Sequence, residues 1–168
     1  MKKNIKFSNG VGQLLPNPTA YRRLVGKLIY LNNTCPDISF PVQQLSQYMT
    51  APTSQHHQAA IQVLQYLKLS PAQGIFFPSS SPLQLKTFCN SDWASCPDTR
   101  KSISGLCIFL SDSLISWKSN KQAIVSRSST ETKYRVMAST VCKIQWLIYL
   151  LNDLQVPHIK PTLLYCDN

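Results

Sequence analysis

The chain has 168 residues, 43% of them apolar, and a formal net charge of +10. That length makes one domain, or one domain with a smaller appendage, and the apolar share excludes a disordered chain. Only seven acids stand against 17 Lys and Arg, so the balance favours a polyanionic partner, nucleic acid first and an anionic membrane surface second.

Residues 1–16 read as an irregular lead-in ending at Pro16. Asn17-Pro18 is a helix start, because asparagine caps free backbone donors and proline fits the first helical position. Leu24, Leu28 and Leu31, with Val25 and Ile29 beside them, form an apolar stripe at helical spacing. This helix should end near Asn32-Asn33. A second is expected after Cys35-Pro36-Asp37, carrying Val42, Leu45, Tyr48 and Met49. Pro41 falls in its first turns, where a missing donor matters least. Pro52-Thr53 starts a third, with Ala60, Ile61, Leu64 and Leu67 inward, and residues 70–74 close it. Residues 17–72 thus read as short helices on one small core.

From residue 73 the pattern changes to that of an α/β domain. Ile75-Phe76-Phe77 reads as a short apolar strand, followed by a loop over 78–82. Leu83, Leu85, Thr87 and Cys89 recur at every second position, the period of a strand. After a loop over 96–101, a second strand runs over 103–110, with Gly105 permitting close backbone approach. Ser111-Asp112-Ser113 makes a turn. A third strand begins at Leu114-Ile115-Ser116-Trp117, and residues 123–125 resume apolar character after a basic segment over 118–121. One long helix follows from Ser128, capped by Ser128 or Ser129, with Tyr134, Met137, Val141, Ile144, Ile148 and Leu151 as its buried stripe. Residues 155–161 form a loop before a fourth strand, Leu163-Leu164-Tyr165. A three-strand meander, a helix and a fourth strand make a mixed sheet that still lacks another crossover helix.

The six cysteines, Cys35, Cys89, Cys96, Cys107, Cys142 and Cys166, include no C-x-x-C pair, and His56, His57 and His158 complete no zinc pattern. Most lie in apolar runs, so they read as reduced, structural thiols. No stretch approaches the ~18 uninterrupted apolar residues of a membrane span. The first 36 residues carry no acid, which matches a transit peptide in charge only. With no signal peptide, an intracellular chain is expected.

Several polar groups sit where apolar segments end. Asn90 and Asp92 are two apart at the end of the first long strand, so they share a face. Asp167 ends the fourth strand. Glu131 or Lys133, early in the long helix, can face the same spot if these strands are neighbours. Two divalent ions about 4 Å apart need several bridging carboxylates, and magnesium prefers hard oxygen ligands in near-octahedral array. Strand ends and a helix start supply such ligands without distorting a scaffold. Each residue also has a structural explanation. An Asp at a strand end is commonly a turn former, and a Glu in a first helical turn answers the helix dipole.

The ordered segments 21–31, Cys35-Pro36-Asp37-Ile38-Ser39-Phe40 and Val63-Leu64-Gln65-Tyr66-Leu67-Lys68 resemble the C-terminal part of the reverse transcriptase of copia-type LTR retrotransposons, especially those of plants. Ser91-Asp92-Trp93-Ala94, Asp98-Thr99-Arg100-Lys101-Ser102, Ile115-Ser116-Trp117-Lys118-Ser119, Ser126-Arg127-Ser128-Ser129-Thr130-Glu131 and Tyr165-Cys166-Asp167-Asn168 resemble the RNase H domain that follows it. The likeness covers residues 18–168. It implies thumb- or connection-like helices over 17–72, then an incomplete ribonuclease H-like domain over 73–168, truncated at its C-terminus. The polymerase palm is not in this chain, so DNA synthesis is not expected. The rest of a reverse transcriptase is an implied partner, and an RNA–DNA hybrid cut with Mg2+ is the implied substrate.

The resemblance also assigns the acids. The family's first strand ends Asp-x-Asp-Trp-Ala, and here Asn90 stands in the first acidic position. The family's helix begins Ser-Ser-x-Glu-x-Glu-Tyr, and here Glu131 is kept while Lys133 stands at the second Glu. Asp167 matches the third acid, and the fourth would fall beyond Asn168. Asp92, Glu131 and Asp167 are therefore the residual catalytic and metal-binding acids. At an effective dielectric near 20, each unit-charge pair at 4 Å is worth about 4 kcal/mol, and a tenfold rate corresponds to about 1.4 kcal/mol. Replacing one carboxylate by an amide and another by a cation is thus expected to abolish tight Mg2+ binding and leave an inert site with residual nonspecific affinity for nucleic acid. Trp117, Lys118, Lys121 and Arg127 would touch hybrid phosphates in the family reading, or form a solvated basic edge. The alternatives are an active hybrid ribonuclease using Asp92, Glu131 and Asp167, and a structural or protein-interaction module that reuses the fold.

Overall fold

The computed structural model describes residues 12–71, 73–79, 83–156 and 160–167. The chain divides into two compact units, Met1–Gly74 and Ile75–Asn168.

The first unit is helical. Helix α1 (Thr19–Leu31) starts where Asn17 Oδ1 accepts the Thr19 N–H at 2.9 Å, and its last turn is satisfied by the Asn32 N–H. A turn of 3₁₀ helix (Pro36–Ile38) leads into α2 (Ser39–Ser46), and α3 spans Ser54–Leu69. Tyr21, Val25 and Leu28 of α1 pack with Ile38, Val42, Leu45, Ala59, Ala60 and Val63. The buried stripes are rotated from those expected. Ile29 and Ile61 face outward, while Tyr21 and Val63 turn in. The reason is polar anchoring. Tyr21 Oη donates to Leu45 O at 2.8 Å. His56 Nδ1 accepts the Thr53 N–H at 3.1 Å, closing a capping box at the start of α3, and its ring stacks on Tyr48 at 4.0 Å. The end of the lead-in is not irregular. Leu14 bridges Thr53 in antiparallel fashion, the Leu15 N–H donates to Pro52 O, and the Ser54 N–H donates to Gln13 O. The expectation for residues 1–11 lies outside the described residues.

The second unit is α/β, with strands β1 (Leu85–Asp92), β2 (Ile103–Leu110), β3 (Ser113–Lys121) and β4 (Leu163–Cys166) and helix α4 (Ser129–Asp153). The sheet order is β3-β2-β1-β4, antiparallel except for the parallel β1–β4 pair. A parallel neighbour requires a crossover, and α4 supplies it. This mixed four-stranded sheet crossed by one long helix is consistent with a ribonuclease H-like fold.

Three expectations are corrected here. Residues 75–77 form no strand, and Phe76 is 80% exposed. An apolar run of three has no periodicity to mark it as a strand, and this one gains no ladder partner. Strand β3 does not stop at the basic segment but continues through Lys121, because Ser119, Asn120 and Lys121 pair with Gly105, Ser104 and Ile103. The buried stripe of α4 is Thr132, Val136, Thr140, Ile144, Leu147 and Leu151, and Tyr134 and Val141 are exposed. The inner face of β1 explains this. It presents Thr87, Cys89 and Ser91, all small, so the helix sits close and only small side chains fit its first half. Larger residues return where Leu85 and Ile108 meet Ile144, Leu147 and Leu151.

Candidate functional site

Strand β1 alternates buried and exposed residues, so Leu85, Thr87, Cys89 and Ser91 face α4 while Phe88, Asn90 and Asp92 face the other way. On that open face Phe88 stacks on Tyr165 at 5.0 Å and meets Phe109 edge-on at 5.9 Å. The β1–β4 register pairs Cys89 with Cys166. The ladder ends at that pair, and Asn90 and Asp167 are the next residues along the two segments. The strand ends therefore meet as expected, and Asn90 Oδ1 accepts the Ser91 N–H at 2.7 Å. Asp92 closes β1 opposite Ile103. The chain then turns at Ala94, whose N–H donates to Ser102 Oγ, and Trp93 Nε1 donates to Ser126 O at 2.9 Å. These two bonds fold the loop after β1 back on itself and onto the segment before α4.

Glu131 lies in the first turn of α4. Ser128 Oγ caps the helix by accepting the Glu131 N–H at 3.1 Å. The carboxylate is engaged: Oε2 accepts the Arg127 N–H at 2.7 Å, and Oε1 accepts Arg135 Nε and Nη2 at 3.0 and 2.8 Å. The Arg127 amide, then the Arg135 guanidinium, hold this carboxyl below its ordinary range. Lys133 is half-buried two residues on. Among the described residues, no group of three or more His, Cys, Asp and Glu side chains is able to hold a metal ion. Asp92, Glu131 and Asp167 are thus not gathered into one ligand set.

The four predicted nucleic-acid residues are divided between two surfaces. Trp117 pairs with Cys107, which pairs with Phe88, so it belongs to the open face. Lys121 follows on that face, with Nζ 3.8 Å from Cys96 Sγ. Lys118 pairs with Leu106 and faces the α4 side. Arg127 is exposed before α4. Gly105 does not mark a close approach, since a Cβ there would meet nothing within 4 Å.

The chain is 44% identical over all 168 residues to a retrovirus-related Pol polyprotein from transposon RE2 of Arabidopsis thaliana. It is 42% identical over the same length to the corresponding polyprotein from transposon RE1 of that plant. A mitochondrial protein of Arabidopsis thaliana is 49% identical over 79 residues, which cover 47% of this chain and 71% of that protein. Over its full length the chain is similar to part of the Pol polyprotein of plant retrotransposons. It spans 12% of the length of the two Pol polyproteins. No protein-family model and no solved structure matches it.

For a Pol-derived chain the donor set decides whether divalent ions fit. Asn90 offers a neutral amide oxygen already turned to its own neighbour's N–H, Lys133 is a cation, and the Glu131 carboxylate is held by Arg135. These residues do not fit a pair of Mg2+ ions. Sequence reading missed Gln122. Its Nε2 donates to Ser104 Oγ at 2.9 Å and Thr132 O at 3.1 Å, and its Oε1 accepts Ser126 Oγ–H at 3.1 Å, tying β2, the pre-helix loop and α4 together. A lone Gln after a basic strand carries no signal of such a role. Arg135, which holds the Glu131 carboxylate, was also missed, although an i,i+4 acid–base pair is a usable signal.

Proposed function

We propose that this is a fragment of a copia-type Pol polyprotein in which thumb-like helices precede a ribonuclease H-like domain that no longer cuts hybrids and keeps nonspecific affinity for nucleic acid. The engagement of Glu131 by Arg135 and the Arg127 amide carries the reading, because it converts the retained helix acid from a metal ligand into a helix cap. Asn90 and Lys133 support it, since each lowers the negative charge where the family places acids. The net charge of +10 supports the retained affinity.

The test has two arms. Purified protein incubated with an RNA–DNA hybrid and Mg2+ should leave the RNA strand intact. Cutting that disappears in Asp167→Asn would instead support the active-ribonuclease reading. In the second arm, hybrid or single-stranded oligonucleotide binding should weaken steeply with added salt, as phosphate contacts require. A flat titration at low salt would favour a structural or protein-interaction module.

A further inference from the structure

We propose that single-stranded nucleic acid binds in the groove between α4 and β3, through Lys118, Arg135, Lys143 and Trp146. This rests on the reading that the fragment retains nucleic-acid affinity, and it names the surface and the strandedness. Helix α4 packs over β1 and β2, so the outer part of the sheet beside it stays open. The result is a groove of about 870 Å³. Its sheet wall carries Lys118 and Asn120. Its helix wall carries Arg135, Lys143 and Trp146, one position round from the buried stripe.

The charge is one-sided. Three cations line the groove, and none of its described lining residues is acidic. Arg135 is partly neutralised by Glu131 at 2.8 Å, so Lys118 and Lys143 supply most of the field. Trp146 is half-exposed, and Lys143 Nζ lies 3.6 Å from its ring centroid. A cation stacked on an indole beside a basic wall is the pairing that holds a base and its phosphate together. Bases in a duplex are already covered by their neighbours, so only an unpaired base can use the indole. The polar amide of Asn120, on the groove's sheet wall, offers hydrogen bonds without demanding one sequence. Trp117 also borders the groove, although its ladder position sets it on the far face of the strand.

The experiment uses the full chain and a fluorescein-labelled oligo(dT), with anisotropy read across a salt series. Circular dichroism checks that each variant is folded. Lys118→Gln with Lys143→Gln should raise Kd about tenfold or more and flatten the salt slope by about 1.4, from 0.7 per phosphate contact in single strands. Trp146→Leu should raise Kd about fivefold or more while keeping the salt slope, as loss of stacking requires. Lys86→Gln, the loss of a single charge on the open sheet face, should shift Kd less than about twofold. If wild-type protein binds but the groove variants match it, or a blunt duplex competes as well as the single strand, the groove assignment fails and the broader reading stands. If wild-type protein binds no oligonucleotide at low salt, both fail.

Discussion

Thr132 is fully buried under the first turn of α4, and its hydroxyl has no hydrogen-bond partner among the described residues. In the unfolded chain water satisfies that hydroxyl, so burying it unpaired costs about 1–3 kcal/mol. Valine has nearly the same shape, the same β-branching and a similar helix propensity. Thr132→Val should therefore stabilise the second unit by about 1–2 kcal/mol. At about 4–8 °C per kcal/mol for a domain of this size, Tm should rise by at least about 4 °C. Thr140→Val is the matched control. Thr140 is equally buried, but its Oγ1 donates to Val136 O at 2.7 Å. Losing that bond should be neutral or cost about 0.5–1.5 kcal/mol. Urea unfolding followed by circular dichroism reads both, with an unchanged m-value showing that the denatured state is unaltered. If Thr132→Val were neutral or destabilising, the hydroxyl would be hydrated in solution and the tight-packing explanation for the α4 stripe would be wrong.

Tyr21→Phe should destabilise the helical unit by about 0.5–1.5 kcal/mol in chemical denaturation, because it removes the buried hydrogen bond that Tyr21 Oη donates to Leu45 O at 2.8 Å. Glu131 has a folded pKa below its unfolded value of about 4.3. Its stabilising effect is therefore fully present above that value and is lost as pH falls through the lower folded pKa; Glu131→Gln should flatten stability against pH below about 4.3, and an unchanged acid limb would contradict the cap. At pH 8, iodoacetamide should label exposed Cys142 early and Cys89 last, since burial, then the hydrogen bond with Cys166, push the Cys89 thiol up to about 11; peptide mass spectrometry reads the order. Asn90→Asp with Lys133→Glu should make Tm rise with Mg2+, as about 1.4 kcal/mol of added stability at tenfold excess over Kd requires. Wild-type protein should not respond, and a response there would overturn the inert-site reading.

Local signals were legible where one residue type does one job. The capping serine of α4, the turn at Ser111-Asp112 and the span of β2 followed from capping, turn chemistry and alternation. Which flank of α4 is buried did not, because Tyr134 and Val141 look like core residues until the small side chains of β1 are known. That β1 and β4 are neighbours was foreseen only as a condition, because strand order depends on the crossover. The engagement of Glu131 was open to inspection, since Arg135 is four residues on and i,i+4 pairs meet on a helix. The groove was not, because Lys118 and Trp146 are joined only by the packing of α4 across the sheet.

The same arrangement fits the proposal that the chain keeps its fold while Asn90 and Lys133 stand where the resemblance places acids. A cluster of carboxylates held close is destabilising without its metal, since like charges in a low-dielectric site repel. Here Asn90 accepts the Ser91 N–H, and Glu131 is paired with Arg135. Both groups now stabilise their own backbone or helix instead of awaiting a cation. What persists under such drift is the diffuse property, a basic surface, which tolerates substitution one lysine at a time. Hybrid cutting needs several groups at once and disappears with the first of them. Binding to a polyanion declines in steps, so the function proposed above keeps the second property in a chain with Asn90 and Lys133 while giving up the first.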